Sequence, residues 1–195
     1  MSQKIILATT SMSRRKGFDM LGFSHIAEAG KVDESIAERT SAKNLVCYLA
    51  KLKAESVAKN HKQGIVIGFD NAGEFLNQIL EKPKTKQDAV ERLKMLSGRN
   101  FNLYSGIHMI NTENSKVLSD VVETEVYMRT LTESEITNYV SNDPRVTEFA
   151  LGFDPLETYA STFAKEIKGS YNSFTRGIAL ERVVEMLYEI GYPKL

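Results

Sequence analysis

A single cysteine, Cys47, and three scattered histidines, His25, His61 and His108, remove several chemistries from this 195-residue chain. No internal disulfide can form, and neither a cysteine metal centre nor a histidine pair at zinc-ligand spacing is present. No apolar run approaches the ~18 residues of a membrane-crossing helix. The opening MSQKIILATT lacks the long apolar segment and small-residue cleavage site of a signal peptide, so a cytoplasmic location is expected. Charge of one sign is not in excess either: Lys+Arg and Asp+Glu number 25 each. A global basic field for nucleic acid is therefore missing, and no nucleic-acid partner is expected. The sequence also has no G-x-x-x-x-G-K-[ST] loop, which excludes a P-loop NTPase.

What is there suits a soluble globular chain, with 42% hydrophobic and 26% charged residues. KIILATT reads as a strand, followed by a loop and helix ending at Gly22. The start of that helix carries Thr9, Thr10, Ser11 and Ser13, then Arg14, Arg15 and Lys16. Free N–H groups at a helix N-terminus attract anions, so these residues read either as a phosphate site or as a capped surface helix.

Residues 42–60 form an amphipathic helix in which Leu45, Leu49, Lys53 and Val57 share a face at i, i+4 steps. Lys53 thus interrupts an apolar stripe, as a snorkelling edge lysine or as a lysine aimed into a cleft. Residues 65–69 read as a short buried strand that ends at Asp70, with Lys82 following in an extended segment before Pro83. An aspartate at a strand end can cap a turn, take a proton from water or hold a divalent cation. Helices are expected over 86–96 and 131–140, the latter with Thr132 as N-cap and Glu135 at the capping-box position. Strands are expected over 101–111, 121–131 and 163–169, and a final helix over 177–191. The order mixes βα units with an antiparallel hairpin and shows no linker. It predicts one domain over 1–195, of α/β class with a mixed sheet flanked by helices.

The segments LATTSMSRR (7–15), KVDES (31–35), LAKLKAESVA (49–58), VIGFDN (66–71), LEKP (80–83), LSGR (96–99), LTESEITNYV (131–140) and IKGSYNSFTRGIAL (167–180) occur in one order along the chain. Together they resemble the Maf family, nucleoside triphosphate pyrophosphatases also called septum-formation-inhibitor proteins. The resemblance implies a Maf/ITPase-like fold with two lobes around a central cleft. It implies hydrolysis between the α- and β-phosphates, giving a nucleoside monophosphate and pyrophosphate. It makes Asp70 the general base, Lys53 and Lys82 clamps on the triphosphate, and Glu34 with Asp70 the contacts of a divalent cation, Mg²⁺ or Mn²⁺. Ser11, Ser13, Arg14, Arg15, Asn71 and Glu157 become further substrate contacts, and a homodimer is expected.

The chain departs from that pattern in places. Ser13 falls where the dTTP/UTP type has arginine and the 7-methyl-GTP type an aromatic residue, and Ala150 replaces a lysine. Asn71 stands where the two types have threonine and glutamine, and Glu157 where they have glutamine and glutamate. A carboxylate at 157 can accept from N1–H and the exocyclic amine of guanine, so the resemblance leans toward 7-methyl-GTP-like substrates. The alternatives are a dTTP/UTP-type enzyme or a nucleotide-binding regulator with little turnover.

Overall fold

Ile5, Ile6 and Leu7 lose all solvent exposure in β1 (Ile5–Ala8), the pattern of a strand covered on both faces. A computed structural model, which describes residues 3–194, supplies both covers. Ile5 and Leu7 pack with Phe18 of α1 (Met12–Asp19) and Val183, Met186 and Leu187 of α6 (Leu180–Ile190). Ile6 and Ala8 pack with Ala54 and Val57 of α2 (Ala42–Ala58).

Around β1 lies a seven-stranded mixed sheet. β1 pairs in parallel with β2 (His25–Glu28) and with β3 (Ile65–Phe75). β3 continues antiparallel to β5 (Asn100–Asn111), β5 to β6 (Lys116–Met128), and β6 to β7 (Ala164–Lys168). β4 (Gln78–Leu80) folds back on the far end of β3. A second apolar cluster joins α3 (Lys86–Leu96) and α4 (Glu133–Asn142) to the other end of β5 and β6, through Leu93, Leu96, Ile136, Phe101 and Val126. The short helix α5 (Tyr171–Arg176) ends at Gly177, whose φ of 66° is left-handed.

Several elements differ from the sequence reading. β3 does not stop at Phe69; residues 70–74 stay paired, Asp70 opposite Gly106 and Glu74 opposite Asn102. Long-range pairing with β5 therefore overrides the polar residues that end the apolar run. The β3–β4 turn places Leu76 and Asn77 at φ 49° and 62°. Such a turn is usually signalled by Asn-Gly, which is missing here. Thr132 caps α4 as expected, accepting from Glu135 N at 3.2 Å. The Glu135 carboxylate does not close a capping box; it binds Arg129 and accepts from the Tyr159 hydroxyl. That pairing holds its pKa at about 2.

Two glycines set the distance between α2 and the sheet. A Cβ at Gly68 would run into the Ala50 carbonyl oxygen and lie 2.7 Å from Ala54 N. At Gly106 it would lie 2.6 Å from the Val46 carbonyl carbon. The helix backbone thus sits directly on β3 and β5, which brings Lys53 within reach of the strand.

Candidate active site

β1 pairs with β3 only as far as Gly68, and β4 rejoins β3 only at Gly73. Residues 69–72 are therefore bonded to β5 on one side and open on the other. A cleft of about 560 Å³ begins at this gap, where β1 gives way to α1. Side chains alternate along a strand, so Val66, Gly68, Asp70 and Ala72 share the face covered by α2. Asp70 and Lys53 meet there.

Lys53 Nζ lies 2.6 Å from Asp70 Oδ1 and 2.8 Å from Glu34 Oε1, with 14% of its side chain exposed. The stripe position that left Lys53 ambiguous in sequence thus aims it inward. Glu34 opens the 3₁₀ turn Glu34–Ile36, which Asp33 caps by accepting from Ser35 N at 3.0 Å. Gly30 flanks the lysine backbone; a Cβ there would lie 3.1 Å from Lys53 Cα. Burial pushes the Asp70 pKa up, Lys53 and Arg14 oppose that rise, and Glu34 adds to it. A buried carboxyl whose pKa is raised is suited to accepting a proton near neutral pH.

The first loop supplies donors and one guanidinium. Ser11 caps α1, its hydroxyl accepting from Arg14 N at 3.4 Å, and Thr9 Oγ1 accepts from Ser11 N at 3.1 Å. Arg14 Nε donates to Gly177 O at 3.1 Å and Nη1 to Phe69 O at 3.5 Å. Desolvation lowers the Arg14 pKa, while the charges of Asp70 and Glu34 work against that loss. The α1 first turn contains no acid, so its free N–H groups keep their pull on anions.

Of the residues singled out in sequence, Ser11, Ser13, Arg14, Glu34, Lys53, Asn71 and Lys82 line the cleft, and Asp70 lies behind Lys53. Asn71 is turned to β5, where its Nδ2 donates to Ser105 Oγ at 2.6 Å. Arg15 is exposed outside the lining. Glu157 also lies outside it, 3.0 Å from Lys16 Nζ and 3.9 Å from Arg145 Nη1. Lining residues not picked out in sequence include Arg145, Glu148 and Arg176. Arg145 follows Asp143-Pro144 and is held 2.8 Å from Asp154. An arginine before a glycine, TRG at 175–177 where α5 ends, was the available signal for Arg176.

The cleft lining combines two chemical characters. Arg14, Lys53, Lys82, Arg145 and Arg176 carry positive charge along it. Leu103, Phe149, Leu151, Phe153 and Phe174 give it an apolar wall. Such a cleft matches a ligand with a polyanionic tail and a flat, weakly polar head. Among the described residues no group of three or more His, Cys, Asp or Glu side chains converges. Glu34 and Asp70 nevertheless point at one cation, the Lys53 ammonium. Two carboxylates completed by phosphate oxygens are the usual donor set for Mg²⁺, so these residues fit such an ion.

Comparison with known proteins places the chain in a family and a fold. The sequence pattern of a family described as "Maf-like protein" matches residues 4–190. A nucleoside triphosphate pyrophosphatase from Microcystis aeruginosa is 29% identical over 192 residues, 98% of this chain and 97% of that protein. A dTTP/UTP pyrophosphatase from Bacillus anthracis is 32% identical over 189 residues, covering 97% and 96% of the two chains. In fold, the chain resembles a HAM1 protein from Coxiella burnetii, with TM-score 0.52 at 18% identity and coverage of 95% and 98%. The Staphylococcus aureus Ham1 protein is similar at TM-score 0.51 and 13% identity, again over 95% and 98%.

Proposed function

The chain belongs to the Maf-like protein family, and from that premise we propose that it hydrolyses nucleoside triphosphates to monophosphate and pyrophosphate. Asp70 is the group on which this reading turns. It is buried behind Lys53, a residue of the cation-lined cleft, at 2.6 Å from that ammonium. It accepts a proton from water as the water oxygen bonds to the α-phosphorus. The bond from that phosphorus to the oxygen bridging to the β-phosphate breaks, and pyrophosphate leaves. Lys53, Lys82 and Arg14 neutralise the phosphate oxygens, and the α1 N-terminus with Ser11 and Ser13 orients them. Lys53 must then exchange its carboxylate partners for phosphate. Glu34 and Asp70 would hold Mg²⁺ or Mn²⁺, which supplies charge neutralisation at the phosphates when bound. The two largest apolar clusters support reading residues 1–195 as one domain with two lobes sharing the cleft. A homodimer belongs to the same proposal by family resemblance, and a cytoplasmic location is proposed with it.

The two readings of base choice divide at Glu157. The 7-methyl-GTP reading needs that carboxylate at the base, yet Lys16 and Arg145 hold it outside the lining. Relatives named dTTP/UTP pyrophosphatase lend the pyrimidine reading further support. We therefore place dTTP and UTP ahead of 7-methyl-GTP as substrates. Pyrophosphate release from dTTP, UTP, GTP, 7-methyl-GTP and ATP with Mg²⁺ or Mn²⁺ tests activity and preference together. Turnover that disappears in Asp70→Asn supports the enzyme. Tight binding without turnover supports a regulator instead, a reading for which the uncharged Ser13 and Ala150 speak.

A further inference from the structure

Most cations of the cleft are already engaged. Arg14 donates to two backbone carbonyls, Lys53 to two carboxylates, and Arg145 to Asp154. Lys82 and Arg176 form no ion pair among the described residues. Lys82 is mostly exposed, whereas Arg176 is half-buried and held in place. Its Nη1 donates to Thr175 Oγ1 at 3.0 Å and to Asn172 Oδ1 at 3.4 Å. Both acceptors are neutral, so they orient the guanidinium and leave its charge uncompensated.

The arginine stem has a seat. It lies over Gly17 in α1, where a Cβ would come within 2.9 Å of Arg176 Cδ and 3.6 Å of its Cβ. The next residue, Gly177, turns the chain through its left-handed φ and delivers its carbonyl to Arg14 Nε. Arg176 and Arg14 are thereby tied to one another in the cleft lining. A cation in the last turn of α5 also suits the negative end of the helix dipole. That effect explains neither the space kept at Gly17 nor the place of Arg176 in the cleft lining.

We propose that Arg176 is a substrate-binding residue that grips the polyphosphate chain. This rests on the triphosphate reading of the cleft and adds a ligand to it. Guanidinium presents paired N–H groups that match phosphate oxygens, which an ammonium cannot do. Calorimetry with inorganic tripolyphosphate, alongside steady-state kinetics on the best triphosphate, tests it. Arg176→Ala is expected to weaken tripolyphosphate about tenfold or more and to raise KM by more than it lowers kcat. Arg176→Lys recovers only part. Gly17→Ala should weaken binding too, by displacing the arginine, while its melting temperature holds or rises because alanine replaces glycine within a helix. Ser13→Arg, placed on the same cleft, should restore binding to Arg176→Ala.

Unchanged tripolyphosphate affinity in Arg176→Ala overturns the assignment, as does wild-type affinity in Gly17→Ala. Should the wild type release no pyrophosphate yet bind tripolyphosphate through Arg176, the assignment stands and the activity reading falls. Should turnover be robust and indifferent to Arg176, the outcome is the reverse.

Discussion

Replacing Lys53 with methionine keeps the length of the side chain and removes a cation that touches two carboxylates, at 2.6 Å and 2.8 Å. The Glu34 contact contributes little, about 0–1 kcal/mol, because 51% of that side chain is exposed. The Asp70 contact matters more, since only 12% of that side chain is exposed. Stripping one partner from a buried pair costs about 3–5 kcal/mol. Arg14 stays nearby and Asp70 can bind a proton, so the lower end applies, and the sum is about 3–4 kcal/mol near neutral pH. A domain of this size shifts by about 2–4 °C per kcal/mol, giving a fall of roughly 6–16 °C in melting temperature. The loss depends on pH. Asp70 binds its proton more tightly in the folded chain than at its ordinary 3.8. Stability from that source is complete below 3.8 and declines as pH rises through the folded pKa. Without Lys53 the folded pKa climbs further, so the window widens and the decline deepens. Melts of the variant and wild type at about pH 5 and about pH 8 should show the larger deficit at the higher pH. Equal deficits, or one no greater than that of Lys82→Met, would refute the claim that Lys53 compensates a buried carboxylate.

Asp70→Asn should reduce pyrophosphate release by about 10²–10⁴, the range for loss of a general base, while circular dichroism shows the fold intact. Lys82→Ala should raise KM for the triphosphate with a melting temperature within about 1–2 °C of wild type, because no ion pair of Lys82 is lost and exposed sites rarely cost over ~0.5 kcal/mol. Gly68→Ala should destabilise by about 1–3 kcal/mol or more and lower kcat, since the clash is with helix backbone that cannot rotate away. Glu157→Gln should leave the order of dTTP, UTP and 7-methyl-GTP unchanged in the pyrophosphate assay, whereas an inverted order would restore the carboxylate to the base site.

The parts of this architecture legible in sequence are those with strong local periodicity. The stripe Leu45, Leu49, Lys53, Val57 gave α2, and the amphipathic 86–96 segment gave α3 with matching ends. The second half of β3 was not legible, because Asp70, Asn71 and Glu74 break the apolar pattern and long-range pairing with β5, joined by β4 at Glu74, holds them in strand form. β2 and β4, of four and three residues, are too short to carry a period. In the site, Asp70 and Lys53 stood out by type and position with two readings each and Glu34 only through the family resemblance, while their meeting at one ammonium depends on Gly68 and Gly30. Arg176 escaped notice because its meaning lies in Gly17, at the other end of the chain. Glu157 shows the converse: its identity suggested base reading, and the side chain is spent on Lys16 and Arg145.

The interruption between β1 and β4 connects these observations. An open edge inside a sheet leaves backbone groups unpaired, which a fold normally avoids. Here Arg14 fills part of the gap by donating to Phe69 O, so the arginine that faces the cleft also satisfies the strand. Asp70 lies one residue further, on the α2 face because side chains alternate. Shifting the β3–β5 register by one would send Asp70 to the α1–α6 side and put an apolar neighbour against Lys53. That register is pinned by Gly68 and Gly106, which admit the helix only where they stand. The carboxylate is thus buried by the same contacts that hold the sheet together, on the stretch of β3 where the gap leaves the sheet incomplete. Burial raises its proton affinity and the gap opens the cleft beside it, so neither feature can be removed without altering the other.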